Sequence, residues 1–170
     1  MSIRVNVSEQ EDRAGAREPL PIGQFHFAIT NVELTESQSD NNYGKPMLAV
    51  EFTVQDTPGP WQAYAGRKDF TNAMLWEGAL YTVIMLLKAI GEYENCKDPG
   101  GALDIPTEPE FWEGREVIGR RSTDQKQKKA WPDMPERWVQ LRGFTEYTEE
   151  KAKEAAKNAP KQPQDASLLP

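Results

Sequence analysis

Six of the residues from Arg115 to Lys129 are basic and two are acidic, a local charge of +4 in an otherwise acidic chain. Arg120, Arg121, Lys126, Lys128 and Lys129 lead directly into Trp131. Cations that follow phosphates and flat rings that stack on bases are the two chemistries that hold single-stranded nucleic acid, with stacking worth about 1–3 kcal/mol per base. Further along, Trp138, Arg142 and Phe144 alternate on one strand face, opposite Val139 and Leu141. Upstream, Tyr43 stands beside Gly44 and Lys45 in a polar loop, and Tyr64, Arg67 and Lys68 lie within five positions. Together these residues form the candidate nucleic-acid-binding set. A solvated surface is the competing reading of the basic run, and Trp138 can equally pack beneath its loop.

Covalent chemistry finds little support. His26 is the single histidine and falls inside a strand pattern. Cys96 is the single cysteine and lies in an acidic stretch, which raises rather than lowers a thiol pKa. The chain has no Cys/His set with zinc spacing and no glycine motif that cradles phosphate. Asp98, Asp104, Glu108 and Glu110 match no calcium-loop spacing. The expectation is a protein that is not an enzyme and needs no cofactor or metal.

The elements that must position these residues are read from periodicity. With 170 residues, 38% of them hydrophobic, the chain can build one domain with a real core. The net charge of −7 is uneven: Lys88 to Glu113 carries two basic and seven acidic residues, just before the basic run. An acidic protein can still present one basic groove. No apolar run approaches the roughly 20 residues that span a bilayer, and the start of the chain lacks a continuous apolar stretch. With one cysteine no intrachain disulfide can form, so a cytoplasmic setting is expected.

Residues 1–19 read as a flexible leader, 20–147 as the binding domain, 148–158 as a helix polar all round, and 159–170 as a disordered tail. In GQFHFAITNVEL, Phe25, Phe27 and Ile29 share one parity and Val32 and Leu34 the other, so the first strand is expected to carry a bulge. MLAVEFTV alternates cleanly, with Leu48, Val50, Phe52 and Val54 inward. WQAYAGRKDFT reads as the third strand, with Trp61 as a turn anchor. The spacing of Trp76, Leu80, Val83, Ile84 and Leu87 predicts a helix from Asn72 to Ile90, capped by Asn72 and ended by Gly91. Phe25, Phe27, Phe52 and Trp76 are the expected core aromatics. Glu92 to Glu110 reads as connector, the region around Val117 and Gly119 as the fourth strand, and RWVQLRGFTEY as the fifth. Three strands, a helix and two strands is the order of an OB-fold. In that Greek-key barrel, strands 2 and 3 with loops 1–2 and 4–5 bind oligonucleotides. The expected fold is therefore mainly β: a five-stranded OB-fold barrel with one helix between strands 3 and 4, plus a short C-terminal helix. Several α+β folds share the same count of elements.

Taken in order, LPIGQFHFAITNVEL, NNYGKPMLAVEFTV, AYAGRKDF and FWEGREVIG resemble a tailed-bacteriophage family of single-stranded DNA-binding OB-fold proteins from replication and recombination modules. The features in common fall at Gly23 to Phe27, Gly44 to Pro46, Gly66-Arg67, Trp76 to Ile90 and Gly114 to Val117. The resemblance implies binding of single-stranded DNA, largely without sequence preference, in phage DNA replication or recombination in the bacterial host cytoplasm. Phage recombinase or replication proteins are implied as further partners, a homo-oligomer is left open, and no membrane is involved. The chain departs from the acidic tail common in such binders, because Glu146 to Pro170 holds five acidic and four basic groups. The alternative class is a phage protein–protein module acting on host replication or defence machinery, through Leu168-Leu169-Pro170 or the acidic connector.

Overall fold

A computed structural model describes residues 19–56, 59–123, 125–133 and 140–160. Its spine is β1 (Gly23–Glu36), which pairs antiparallel with two neighbours. The first half lies beside β4 (Glu116–Ser122), and the second half lies beside β2 (Pro46–Val54). The expected bulge is present. The register steps from Ile29 opposite Phe52 to Asn31 opposite Glu51, leaving Thr30 unpaired between them. One extra residue restores the parity, so Ile29 and Val32 are both buried. Leu48, Val50, Phe52 and Val54 of β2 are all buried, as their alternation requires.

β3 (Lys68–Met74) pairs with β2, and β5 (Gln140–Glu146) pairs with β4, giving one antiparallel sheet in the order β3-β2-β1-β4-β5. The protein is mainly β with a few helices, as expected. Closure into a barrel is not seen: among the described residues no ladder joins β3 to β5. That seam is occupied by α1 (Tyr81–Ala89), which packs on both end strands and buries Val83, Leu86, Leu87 and Ala89.

Two boundaries differ from the sequence reading. The third strand begins at Lys68 because Trp61 to Gly66 form a turn. Trp61 is fully buried and donates its indole N–H to the Gln24 carbonyl at 2.7 Å, while Gln62–Tyr64 make a short 3-10 segment. The helix begins at Tyr81 rather than Asn72. Asn72 lies in β3 opposite Ala49, where strand alternation prevails over helical spacing. Gly78 then takes a left-handed φ of 89°, which no helix continues through. Gly91, at φ 75°, makes the expected turn after the helix.

The connector is more ordered than its composition suggests. It contains α2 (Tyr93–Cys96), a bridge between Lys97 and Leu103, and α3 (Pro109–Trp112). Trp112 is fully buried and donates to the Pro106 carbonyl at 2.8 Å, which pins the segment to the core. Beyond β4 lies α4 (Gln125–Ala130), and α5 (Glu149–Ala156) follows β5. Expected to be polar all round, α5 in fact docks through Ala152 and Ala155 against β1 and β4. Thr148 caps it by accepting from the Lys151 N–H at 3.1 Å. Residues 1–18 of the leader and 161–170 of the tail lie outside the described residues. No helix among those described is long and apolar enough to cross a membrane.

Gly119 faces the ring of Phe27, and a Cβ there would lie 2.7 Å from two ring carbons. Gly143 on the next strand has room, with the Arg120 side chain first met at 3.7 Å. Gly119→Ala is therefore expected to cost about 1–3 kcal/mol in urea unfolding through overpacking. Gly143→Ala should change stability by less than about 1 kcal/mol. Equal effects at the two positions would contradict this packing.

Candidate nucleic-acid interface

Direct cross-strand pairing puts Lys68, Phe70 and Asn72 of β3 on one face with Thr53, Glu51 and Ala49 of β2. This face points away from the core, and Phe70 is 59% exposed. A phenyl ring left in water on a flat sheet is a ready stacking surface. Lys68 shares the face and reaches Glu51 at 3.2 Å, while the Thr30 hydroxyl, on the bulge, donates to the same carboxylate at 2.7 Å. The pair is half-exposed, with the Lys68 ammonium at the surface and Glu51 more covered.

At the end of this face the β1–β2 loop folds on itself. The Ser37 N–H bonds to the Lys45 carbonyl at 2.8 Å, and the Gly44 N–H to the Ser37 carbonyl at 2.9 Å. The tip presents Tyr43, 73% exposed. Lys45 donates to the Asn42 side chain at 3.2 Å, and its ammonium lies 5.4 Å from the centre of the Trp76 ring. Trp76 is half-buried in the connection from β3 to α1, not in the core where its spacing had placed it. The connection is tied to the start of β2 by the Leu75 N–H, 3.0 Å from the Pro46 carbonyl. Loop and connection thus bring Tyr43, Lys45 and Trp76 to one end of the sheet.

The segment between β4 and β5 supplies the other predicted cations. Lys128 and Lys129 are exposed near the end of α4, and Trp131, just beyond it, is 46% exposed. Lys128 folds back onto the Pro132 carbonyl at 2.7 Å. The Lys126 side chain and Trp138 lie outside the described residues. Arg120 is exposed on β4, and half-buried Arg142 donates its Nε to the Ser122 carbonyl at 3.1 Å.

Four predicted site residues make structural contacts instead. Tyr64 is buried, edge-on to Phe25 at 5.6 Å, and Arg67 lies over its ring at 5.6 Å while donating to the Pro19 carbonyl at 3.3 Å. Arg121 is buried and ion-paired with Asp69 of β3. Phe144 is buried and stacks on Phe52 at 5.2 Å. The last correction has a definite cause: the pairing steps from Arg120–Gly143 to Arg121–Leu141, so Arg142 is an extra residue on β5. This bulge turns Phe144 inward beside Leu141, against simple alternation. Two further exposed rings, Phe70 and Tyr81, were not among the residues singled out in the sequence. Alternation of Lys68, Phe70 and Asn72 carried the signal for Phe70 once the strand is started at Lys68.

His26 is buried, 2.9 Å from the Glu116 carboxylate and stacked on Tyr147 at 4.0 Å. Burial first, then the nearby Glu116 and Glu149 charges, raise the Tyr147 phenol above its ordinary pKa. Among the described residues no three His, Cys, Asp or Glu side chains are grouped to hold a metal ion. Models of known protein families give no match to this chain, and neither do curated protein sequences.

Cys96 is buried, and its thiol pKa is raised, chiefly by burial and further by the Glu92 and Asp104 charges. The thiolate fraction at a given pH is therefore smaller than for a free thiol. Ellman's reagent at pH 8 should label Cys96 far more slowly in the native protein than in urea. Equal rates in the two conditions would show an accessible, activated thiol and contradict this site.

Proposed function

We propose that this chain binds single-stranded DNA, largely without sequence preference, as an OB-type module of phage DNA replication or recombination in a bacterial host cytoplasm. In this reading it does no covalent chemistry of its own. The observation that carries it is the line of exposed rings and cations at one side of the sheet: Phe70 and Lys68 on β3, then Lys45 over Trp76 with Tyr43 at the loop tip. Bases can stack on the rings while ammonium groups meet the phosphates between them. Lys128, Lys129 and Trp131 of the β4–β5 segment repeat the same pairing of charge and ring. The strand order supports the fold part of the proposal. In an OB barrel these five strands follow the same neighbour relations, and here the curl brings β3 and β5 close without a ladder. The net charge of −7 favours the other class, an interaction module whose partner is a protein.

Titration of labelled oligo-dT by fluorescence anisotropy separates the two classes. The parent should bind, more weakly as salt rises. Phe70→Ala should lose about 1–3 kcal/mol of affinity with the salt slope unchanged, because stacking releases no counterions. Lys128→Ala with Lys129→Ala should lower the slope of log K against log[salt] by about 0.7 for each lost contact. A parent that leaves the oligonucleotide's anisotropy unchanged at low salt would reject DNA binding and favour the interaction module.

A further inference from the structure

A cleft of about 280 Å³ opens where α1 meets β4 and β5, bordered by Tyr81, Met85, Ile118, Arg120, Arg142 and Thr145. Its walls are unusual for this molecule. The chain has 27 acidic side chains, yet none of the described residues lining the cleft carries a carboxylate, while two carry guanidinium groups. Arg115 and Arg121 are each ion-paired, with Glu92 and Asp69. Among the described residues Arg120 takes part in no ion pair, and Arg142 commits only its Nε, to the Ser122 carbonyl. The Arg120 side chain lies over Gly143 of β5, 3.7–3.9 Å from where a Cβ would stand.

At the mouth stands Tyr81, 73% exposed in the first turn of α1. The ring stands in water on a wall of the cleft that also carries two guanidinium groups without carboxylate partners in it. Guanidinium groups bind phosphate in a bidentate manner, and an aromatic face takes a base. At the low end of the range for small-molecule sites, the volume suits one nucleotide rather than a larger ligand.

We propose that this cleft is a second subsite on the path of the single strand, in which Tyr81 stacks on one base and Arg120 and Arg142 hold the adjoining phosphate. The assignment rests on the single-strand reading above and extends it away from the β2–β3 face. Continuity supports it. Tyr81 follows five positions after Trp76, the last ring of that face, and Arg142 is tied to Ser122, from which the segment bearing Lys128, Lys129 and Trp131 departs. On this proposal the cleft links the two patches, and a strand joining them crosses it.

The test uses two oligo-dT lengths, about 5 and about 15 nucleotides, within the range that one OB module spans. On the proposed path the short one occupies the β2–β3 face alone, and the long one extends to the cleft. Tyr81→Ala should weaken the long oligonucleotide by about 5- to 150-fold and leave the short one unchanged. Tyr81→Phe, which keeps the ring, should restore binding. Arg120→Gln should lower the salt slope for the long oligonucleotide by about 0.7. Both variants sit at exposed positions, so circular dichroism should match the parent. If Tyr81→Ala and Arg120→Gln bind the long oligonucleotide as the parent does while Phe70→Ala weakens both lengths, the cleft assignment is wrong and the main reading stands. If the parent binds neither length, the single-strand reading falls and takes the cleft with it. Saturable binding of thymidine 5′-monophosphate that is lost in Tyr81→Ala, with binding of the long oligonucleotide unchanged by the same substitution, would assign the cleft to free nucleotides and overturn its place on the strand path.

Discussion

Among the described residues β3 and β5 share no ladder, so the curl of the sheet depends on α1 and on side chains that reach across it. Phe144 of β5 stacks on Phe52 of β2, and Arg121 of β4 meets Asp69 of β3 in the interior. The phenyl rings continue inward, Phe52 against Phe27 and Phe27 against Phe25, each at 5.6 Å. Aromatic pairs add about 0.5–1.5 kcal/mol each beyond the area they bury. The ion pair is a weaker source of stability, since desolvation offsets much of its attraction. It does fix geometry, because it ties β4 to β3 across the interior, two strands that are not neighbours in the sheet.

This constraint divides the aromatic residues into two populations. Rings required inside are drawn from β1, β2, β5 and two anchored segments, where Trp61 and Trp112 each donate an indole N–H to a backbone carbonyl. Rings left outside, at Phe70, Tyr43, Tyr81 and Trp131, fall on β3, on the tip of the β1–β2 loop, on the exposed start of α1 and after α4. None of these contributes to the seam. Their exposure is a cost in hydration that the fold itself does not require, and it is the physical ground for the proposed stacking role. The cations divide in the same way: Arg121 holds the seam, whereas Lys45, Arg120 and Lys129 remain at the surface.

Much of the scaffold was legible in the chain because its strands keep period two. β2 reads directly from Leu48, Val50, Phe52 and Val54, and the parity change in β1 announces the bulge at Thr30. The limits of β3 and α1 were not, since Trp76 and Leu80 extend the helical spacing backwards over residues that tertiary pairing takes for the sheet. Docking of α5 was hidden for another reason: alanine gives almost no hydropathy signal, yet Ala152 and Ala155 let the helix approach the sheet closely. The candidate site suffered from bulges. A single extra residue at Arg142 reverses the parity of everything after it, so Phe144, placed outside by alternation, lies at the seam. Tyr64 and Arg121 were legible only as residue types. Nothing in their spacing shows that one closes a turn and the other pairs across strands distant in sequence.

The central claim is that the exposed rings and cations beside β3, and not the sheet's interior, receive a single strand. Amide NMR of the full chain titrated with oligo-dT tests it most directly, because each backbone N–H reports its own surroundings. The account predicts progressive shifts at Tyr43, Lys45, Lys68, Phe70 and Trp76, with the amides of Phe27, Phe52 and Phe144 unmoved. Shifts confined to α5 and the connector between α2 and α3, or none at saturating oligonucleotide, would contradict it.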